Sequence, residues 1–67
     1  MQLQVNGEAK NLDGNKWSVT DLLEQLELAN RRVAVQVNRD VIKRDDYPKT
    51  HLQEGDQIEI IHMVGGG

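Results

Sequence analysis

Ser18-Val19-Thr20-Asp21-Leu22-Leu23-Glu24-Gln25-Leu26 is the stretch of this chain that carries the period of a helix. Val19, Leu22, Leu23 and Leu26 fall at i, i+3, i+4 and i+7, which places them on one apolar stripe. Ser18 with Asp21 three residues on reads as a capping box, with Asp where Glu or Gln is more usual. Asp21 and Glu24 suit the positive end of the helix dipole, and Arg31 and Arg32 lie just past its negative end. The spacing predicts a helix over residues 19–29. On either side of it the sequence alternates or turns.

Upstream, Met1, Leu3 and Val5 alternate with Gln2 and Gln4, the period of a half-buried strand. Asn6-Gly7 follows, a strong hairpin signal because both residues tolerate the positive φ of a type I′ turn. Residues 8–12 then read as the return strand. With only Ala9 and Leu12 apolar, it should be short or lie at an edge. Downstream, Val33, Val35 and Val37 alternate with Ala34 and Gln36, and Asn38-Arg39-Asp40 turns into a short Val41-Ile42 segment. From Lys43 to His51 the chain is polar and includes Pro48, which has no N–H for a sheet ladder. This reads as a loop with room for one irregular helical turn, and with Tyr47 and Leu52 as inward anchors. Glu54-Gly55-Asp56 turns into a last strand over residues 57–64.

Two strands, one helix and two or three further strands define an α+β class, because one helix covers one face of a small sheet. The first and last strands carry dense apolar residues and are expected side by side at the centre. That order resembles the β-grasp fold, in which the sheet wraps a single helix. The division is a domain over residues 1–64 and a glycine tail over 65–67.

Sixty-seven residues make one domain, with most apolar side chains needed for its core and little room for an internal cavity. There is no cysteine, so no disulfide, thiolate metal site or side-chain thiol is available to carry sulfur. The net charge of -3, an interrupted basic run at Arg39 to Arg44 and only Trp17 and Tyr47 as aromatics argue against a nucleic-acid surface. No apolar run reaches the length of a membrane span and no signal-peptide pattern precedes the first strand, so a cytoplasmic location is expected.

The end of the chain is where chemistry concentrates. Gly65-Gly66-Gly67 has no side chain to clash with a narrow channel, and its reactive group is the Gly67 carboxylate. Another enzyme could thread this tail and act on that carboxylate, although a glycine-rich terminus is ordinarily a frayed end. Along the last strand, Ile58, Ile60, His62 and Val64 share one face, and Gln57, Glu59, Ile61 and Met63 the other. With Ile58 and Ile60 toward the helix, Ile61 and Met63 emerge beside the tail as a docking patch. His51 and His62 lie on different elements and are too few for a zinc site, so no metal is expected. Ser18 is a cap rather than a nucleophile, and Trp17 suits a packing role at the helix start.

The hairpin–helix opening, Val37-Asn38, Val41 with Arg44 and Tyr47, Glu54-Gly55-Asp56-Gln57-Ile58-Glu59 and the closing Val64-Gly65-Gly66-Gly67 together resemble the ThiS-type sulfur carriers of thiamin biosynthesis. The resemblance spans essentially the whole chain. The family's Gly-Gly end is matched by Gly66-Gly67, with Gly65 as an additional glycine. The resemblance implies a protein cosubstrate without catalytic groups or a cofactor of its own. A ThiF-like adenylating enzyme would use ATP to activate Gly67, with Gly65 and Gly66 giving clearance. A sulfur donor such as a persulfide-bearing desulfurase would then leave a thiocarboxylate, and thiazole synthase would receive the sulfur. Rival destinations share the tail: a small subunit of molybdopterin synthase, a carrier for amino-acid biosynthesis, or a ubiquitin-like protein modifier. A small binding module with an idle tail is the plain alternative.

Overall fold

Leu3, Val5, Ile58 and Val35 are buried together because three strands that are distant in sequence lie side by side. The computed structural model of the chain describes residues 1–63. Strand β1 (Gln2–Val5) pairs antiparallel with β2 (Glu8–Asn11) through the Asn6-Gly7 turn. Helix α1 (Val19–Gln25) follows, then β3 (Val33–Val37), β4 (Asp40–Ile42), a short 3₁₀ helix (Arg44–Lys49) and β5 (Gln57–His62). The sheet order is β2-β1-β5-β3-β4, with β5 parallel to β1 and antiparallel to β3. The first and last strands are therefore neighbours within the sheet, and the weak second strand is an edge.

The helix begins as its sequence dictates. The Asp21 amide donates to Ser18 Oγ at 3.1 Å, and the Ser18 amide donates to Asp21 Oδ2 at 3.0 Å. Val19, Leu22 and Leu23 are buried against the sheet. Its end differs from the expected residues 19–29, because the regular helix stops at Gln25. The Glu27 amide bonds to the Glu24 carbonyl at 3.0 Å, and the Leu28 amide bonds to the Leu23 carbonyl at 2.7 Å. With Glu27 at φ 60°, this is a Schellman cap whose left-handed position holds Glu instead of Gly. No glycine marks the stop, so a periodicity argument runs past it.

Two type I′-like turns act on β5 from either side. Asn6 and Gly7 have φ of 51° and 82°, and Asn38 and Arg39 have φ of 50° and 75°. Asn6 Oδ1 accepts from the Ile60 amide at 2.8 Å, extending the β1–β5 ladder beyond the point where β1 turns away. Asn38 Oδ1 accepts from the Gln57 amide at 3.0 Å, and its Nδ2 donates to Asp56 Oδ1 at 3.0 Å.

The expected loop between β4 and β5 holds the 3₁₀ helix with Pro48 inside it, and Tyr47 and Leu52 are buried as inward anchors. Tyr47 Oη donates to the Val33 carbonyl at 3.3 Å, which ties this helix to the start of β3. Trp17 packs against the core, and its indole N–H donates to the Asp13 carbonyl at 2.8 Å. The return strand ends at Asn11 rather than 12, and Leu12 turns into the core just beyond it. Among the described residues β5 ends at His62, short of the expected 57–64; Val64 and the proposed boundary with the tail lie outside them.

Two stability predictions follow from these backbone features. Glu27→Gly relieves a left-handed residue at an exposed cap and should raise stability by about 1 kcal/mol, read from urea unfolding midpoints. Asn6→Ala loses both the turn preference and the acceptor for the Ile60 amide, and should cost about 2 kcal/mol in the same assay.

Candidate functional site

Beyond Ile60 the last strand leaves the cover of the helix, and this is where its side chains become available. Ile58 and Ile60 are 1% and 5% exposed, whereas Ile61 and Met63 are 52% and 59% exposed. The alternation expected from the sequence therefore holds for these four residues. His62 shares the inward phase of Ile58 and Ile60 but is exposed, at the mouth of a cleft lined also by Leu26 and Leu28. The Met63 amide donates to the Arg32 carbonyl at 2.9 Å, so pairing with the chain before β3 continues one residue past the strand. The backbone is thus tied down on one side as far as Met63.

Strand register shows what else shares the outer face. Ile61 pairs with Ala34, and Gln36 pairs with both Glu59 and Val41. Paired residues lie on one face of a sheet, so Val41 and Ala34 join Ile61 and Met63. Val41 is 71% exposed. Apolar side chains on this face therefore come from three strands, with Val41 in the row of Gln36 and Glu59 and Ala34 and Ile61 in the next. Sequence reasoning missed Val41. Its alternation with the half-buried Ile42 on a short edge strand was the available signal.

A groove of about 370 Å³ adjoins this patch, with Arg32 and Arg44 among its walls and Met63 at its edge. Both arginines are exposed. Arg44 opens the 3₁₀ helix that Tyr47 anchors, and Arg32 lies opposite Met63 through the backbone bond already described. Gly65, Gly66 and Gly67, the carrier and threading residues expected from the sequence, lie outside the described residues.

No catalytic constellation competes with this end of the molecule among the described residues. Folding brings His51 opposite Ser18 in an isolated antiparallel bridge, a pairing that the sequence does not reveal. The Ser18 hydroxyl is buried and accepts the Asp21 amide, which makes it a cap. His51 is exposed on the other side of the bridge. Among the described residues no three His, Asp or Glu side chains gather to hold a metal ion. None of the helices there is long and apolar enough to cross a membrane.

One helix held against a mixed five-stranded sheet, with first and last strands parallel at its centre, defines a β-grasp domain. The crystal structure of the thiamine biosynthesis protein ThiS from Geobacter metallireducens matches it with a TM-score of 0.87 and 36% identity, over 100% of both chains. The ThiS family model matches residues 3–67, and the chain belongs to the ThiS family. It is 37% identical to the sulfur carrier protein ThiS of Bacillus subtilis, over 97% of this chain and 98% of that one. It is also 40% identical over its whole length to part of a thiazole synthase of Magnetococcus marinus, and spans 20% of that protein. A second thiazole synthase, from Paramagnetospirillum magneticum, is likewise matched over 20% of its length.

The two faces of β5 should separate in mutagenesis. Ile60→Ala empties a core position and should cost about 2–5 kcal/mol. Met63→Glu and Ile61→Ser alter exposed positions and should stay within about 0.5 kcal/mol of the parent. Thermal denaturation followed by circular dichroism compares all three. An unfolded Met63→Glu variant would reverse the face assignment.

Proposed function

We propose that this chain is a sulfur carrier that serves thiazole formation in thiamin biosynthesis, with Gly67 as the covalent carrier. The observation that carries the reading is the family match, which extends through the glycines to residue 67. The absence of cysteine fits it, since sulfur would then ride on the chain terminus. The thiazole synthases that contain a related segment favour that destination over molybdopterin synthase, amino-acid biosynthesis or protein tagging.

The chemistry follows from the weakness of a carboxylate as an electrophile. Attack of the Gly67 carboxylate on the α-phosphorus of ATP, in the site of a ThiF-like activating enzyme, forms an acyl adenylate and releases pyrophosphate. The terminal sulfur of a donor persulfide then displaces AMP, giving an acyl disulfide. A second thiol cleaves the S–S bond, leaving a thiocarboxylate on Gly67 and a disulfide on the donor side. Thiazole synthase then takes the sulfur. This chain supplies the carboxylate, the clearance given by Gly65 and Gly66, and a docking surface; the nucleotide belongs to the activating enzyme.

The docking surface is required by reach. Four residues separate Met63 from the terminus, and fully extended they span at most about 14 Å. Ordering each of the three glycines costs about 1–2 kcal/mol. A glycine backbone offers little apolar surface to offset that cost, so Ile61 and Met63, joined by Val41, supply the contact.

Intact mass after incubation with ATP, a ThiF-like activating enzyme and a sulfur source tests the reading. The expected gain equals replacement of one oxygen by sulfur, and it should vanish when Gly66-Gly67 is deleted. Gly67→Ala should block loading while leaving the unfolding midpoint unchanged. No mass gain with an activator proven on its own carrier would refute the assignment. High-mass ladders in lysate probed with an anti-tail antibody would indicate a modifier instead.

A further inference from the structure

We infer that Arg32 and Arg44 form a cationic recognition site for carboxylate side chains on thiazole synthase, seated beside the root of the tail. The inference rests on the carrier reading above and adds to it a partner surface of defined charge. Arg31-Arg32 and Lys43-Arg44 contribute four of the eight basic residues of the chain, and Arg32 and Arg44 face one groove with Met63 at its edge. Among the described residues no carboxylate lines that groove. Among the described residues the only ion pair is Lys10 with Glu8 at 3.8 Å, so neither arginine has a carboxylate within salt-bridge distance there. Asp45 and Asp46 follow Arg44 directly in sequence, yet they neither line the groove nor pair with it.

Exposed arginines are common and usually signify nothing. These two differ in position and in anchorage. The carbonyl of Arg32 holds the amide of Met63 at 2.9 Å, and Arg44 stands on the helix whose Tyr47 bonds the Val33 carbonyl at 3.3 Å. Both backbones are thus fixed beside the last described residue. With a tether of at most about 14 Å, an enzyme that draws Gly67 into an interior site must bring its own surface against this rim. Two guanidinium groups covered in that way lose water. Leaving them unpaired would penalise the complex heavily, and carboxylates opposite them turn the penalty into orientation and a faster encounter. Arginine suits the task because its planar fork binds a carboxylate through two parallel hydrogen bonds. Thiazole synthase is the occupant because proteins of that name carry a segment related to this chain.

Binding of purified thiazole synthase to the full-length chain, titrated at low and high salt, tests the inference. Arg32→Glu/Arg44→Glu should weaken binding at least about tenfold at low ionic strength, and the deficit should shrink near 0.5 M salt. Arg32→Gln/Arg44→Gln should fall between that variant and the parent, and Lys16→Glu, three residues before α1, should bind as the parent does. Unfolding midpoints establish that each variant is folded. Sulfur loading by the activating enzyme is measured in parallel. A parent that loads sulfur, with reversed variants binding synthase within twofold of it, would overturn the inference and leave the carrier reading standing. Loading impaired while synthase binding is unchanged would assign the pair to the activating enzyme and equally overturn it. A parent that neither loads nor binds would remove both.

Discussion

The pairing of β5 between β1 and β3 is the constraint on which the rest of the molecule depends. It joins the first strand of the chain to the last, across more than fifty positions, and puts Ile58 next to Val5 and Val37 in the ladder. That placement buries Ile58 and Ile60 under α1. Closing so long a loop is costly in chain entropy, and the two turn asparagines help to offset it. Asn6 completes the ladder at Ile60, and Asn38 does the same at Gln57. Each uses one amide side chain both to tolerate a left-handed turn and to hold the strand that arrives later.

The proposed carrier role rests on the way that strand leaves the sheet. Its last residues are bonded to the chain before β3 on one side, while β1 has already turned away on the other. Inward side chains stop being covered, and outward ones were never covered. An apolar patch and a pair of arginines therefore stand at one end of the molecule, a few residues from the glycines. On the carrier reading proposed above, a short tail and a fixed root belong together, since a surface that must be approached closely is one on which recognition can be built. The opposite arrangement, a long flexible linker, would let a partner take the terminus without touching the body.

Membership of the ThiS family is compatible with two organisations of the same unit. In the Bacillus subtilis relative it makes up nearly the whole chain, whereas in the Magnetococcus marinus thiazole synthase the matching segment is a fifth of the protein. The β-grasp body suits both because its core is closed by its own strands. Val35, Leu22 and Leu3 are buried without help from a neighbouring domain.

By itself, the sequence determined the features written in local pattern. The Ser18–Asp21 capping box, the Asn6-Gly7 turn, the inward pair Ile58 and Ile60 and the outward pair Ile61 and Met63 were all legible, because period and turn chemistry act over a few residues. The stop of α1 was not legible, because Glu27 occupies a left-handed position that composition would assign to glycine, and a Schellman cap held it there. Val41 was missed because a three-residue edge strand offers a single step of alternation, and only its register against Gln36 decides which face that step turns outward. The meeting of His51 with Ser18, the bond from Asn6 to Ile60 and the shared groove of Arg32 and Arg44 belong to tertiary structure alone. Those partners are separated by loops whose paths depend on how the whole sheet closes, and no local interaction encodes that.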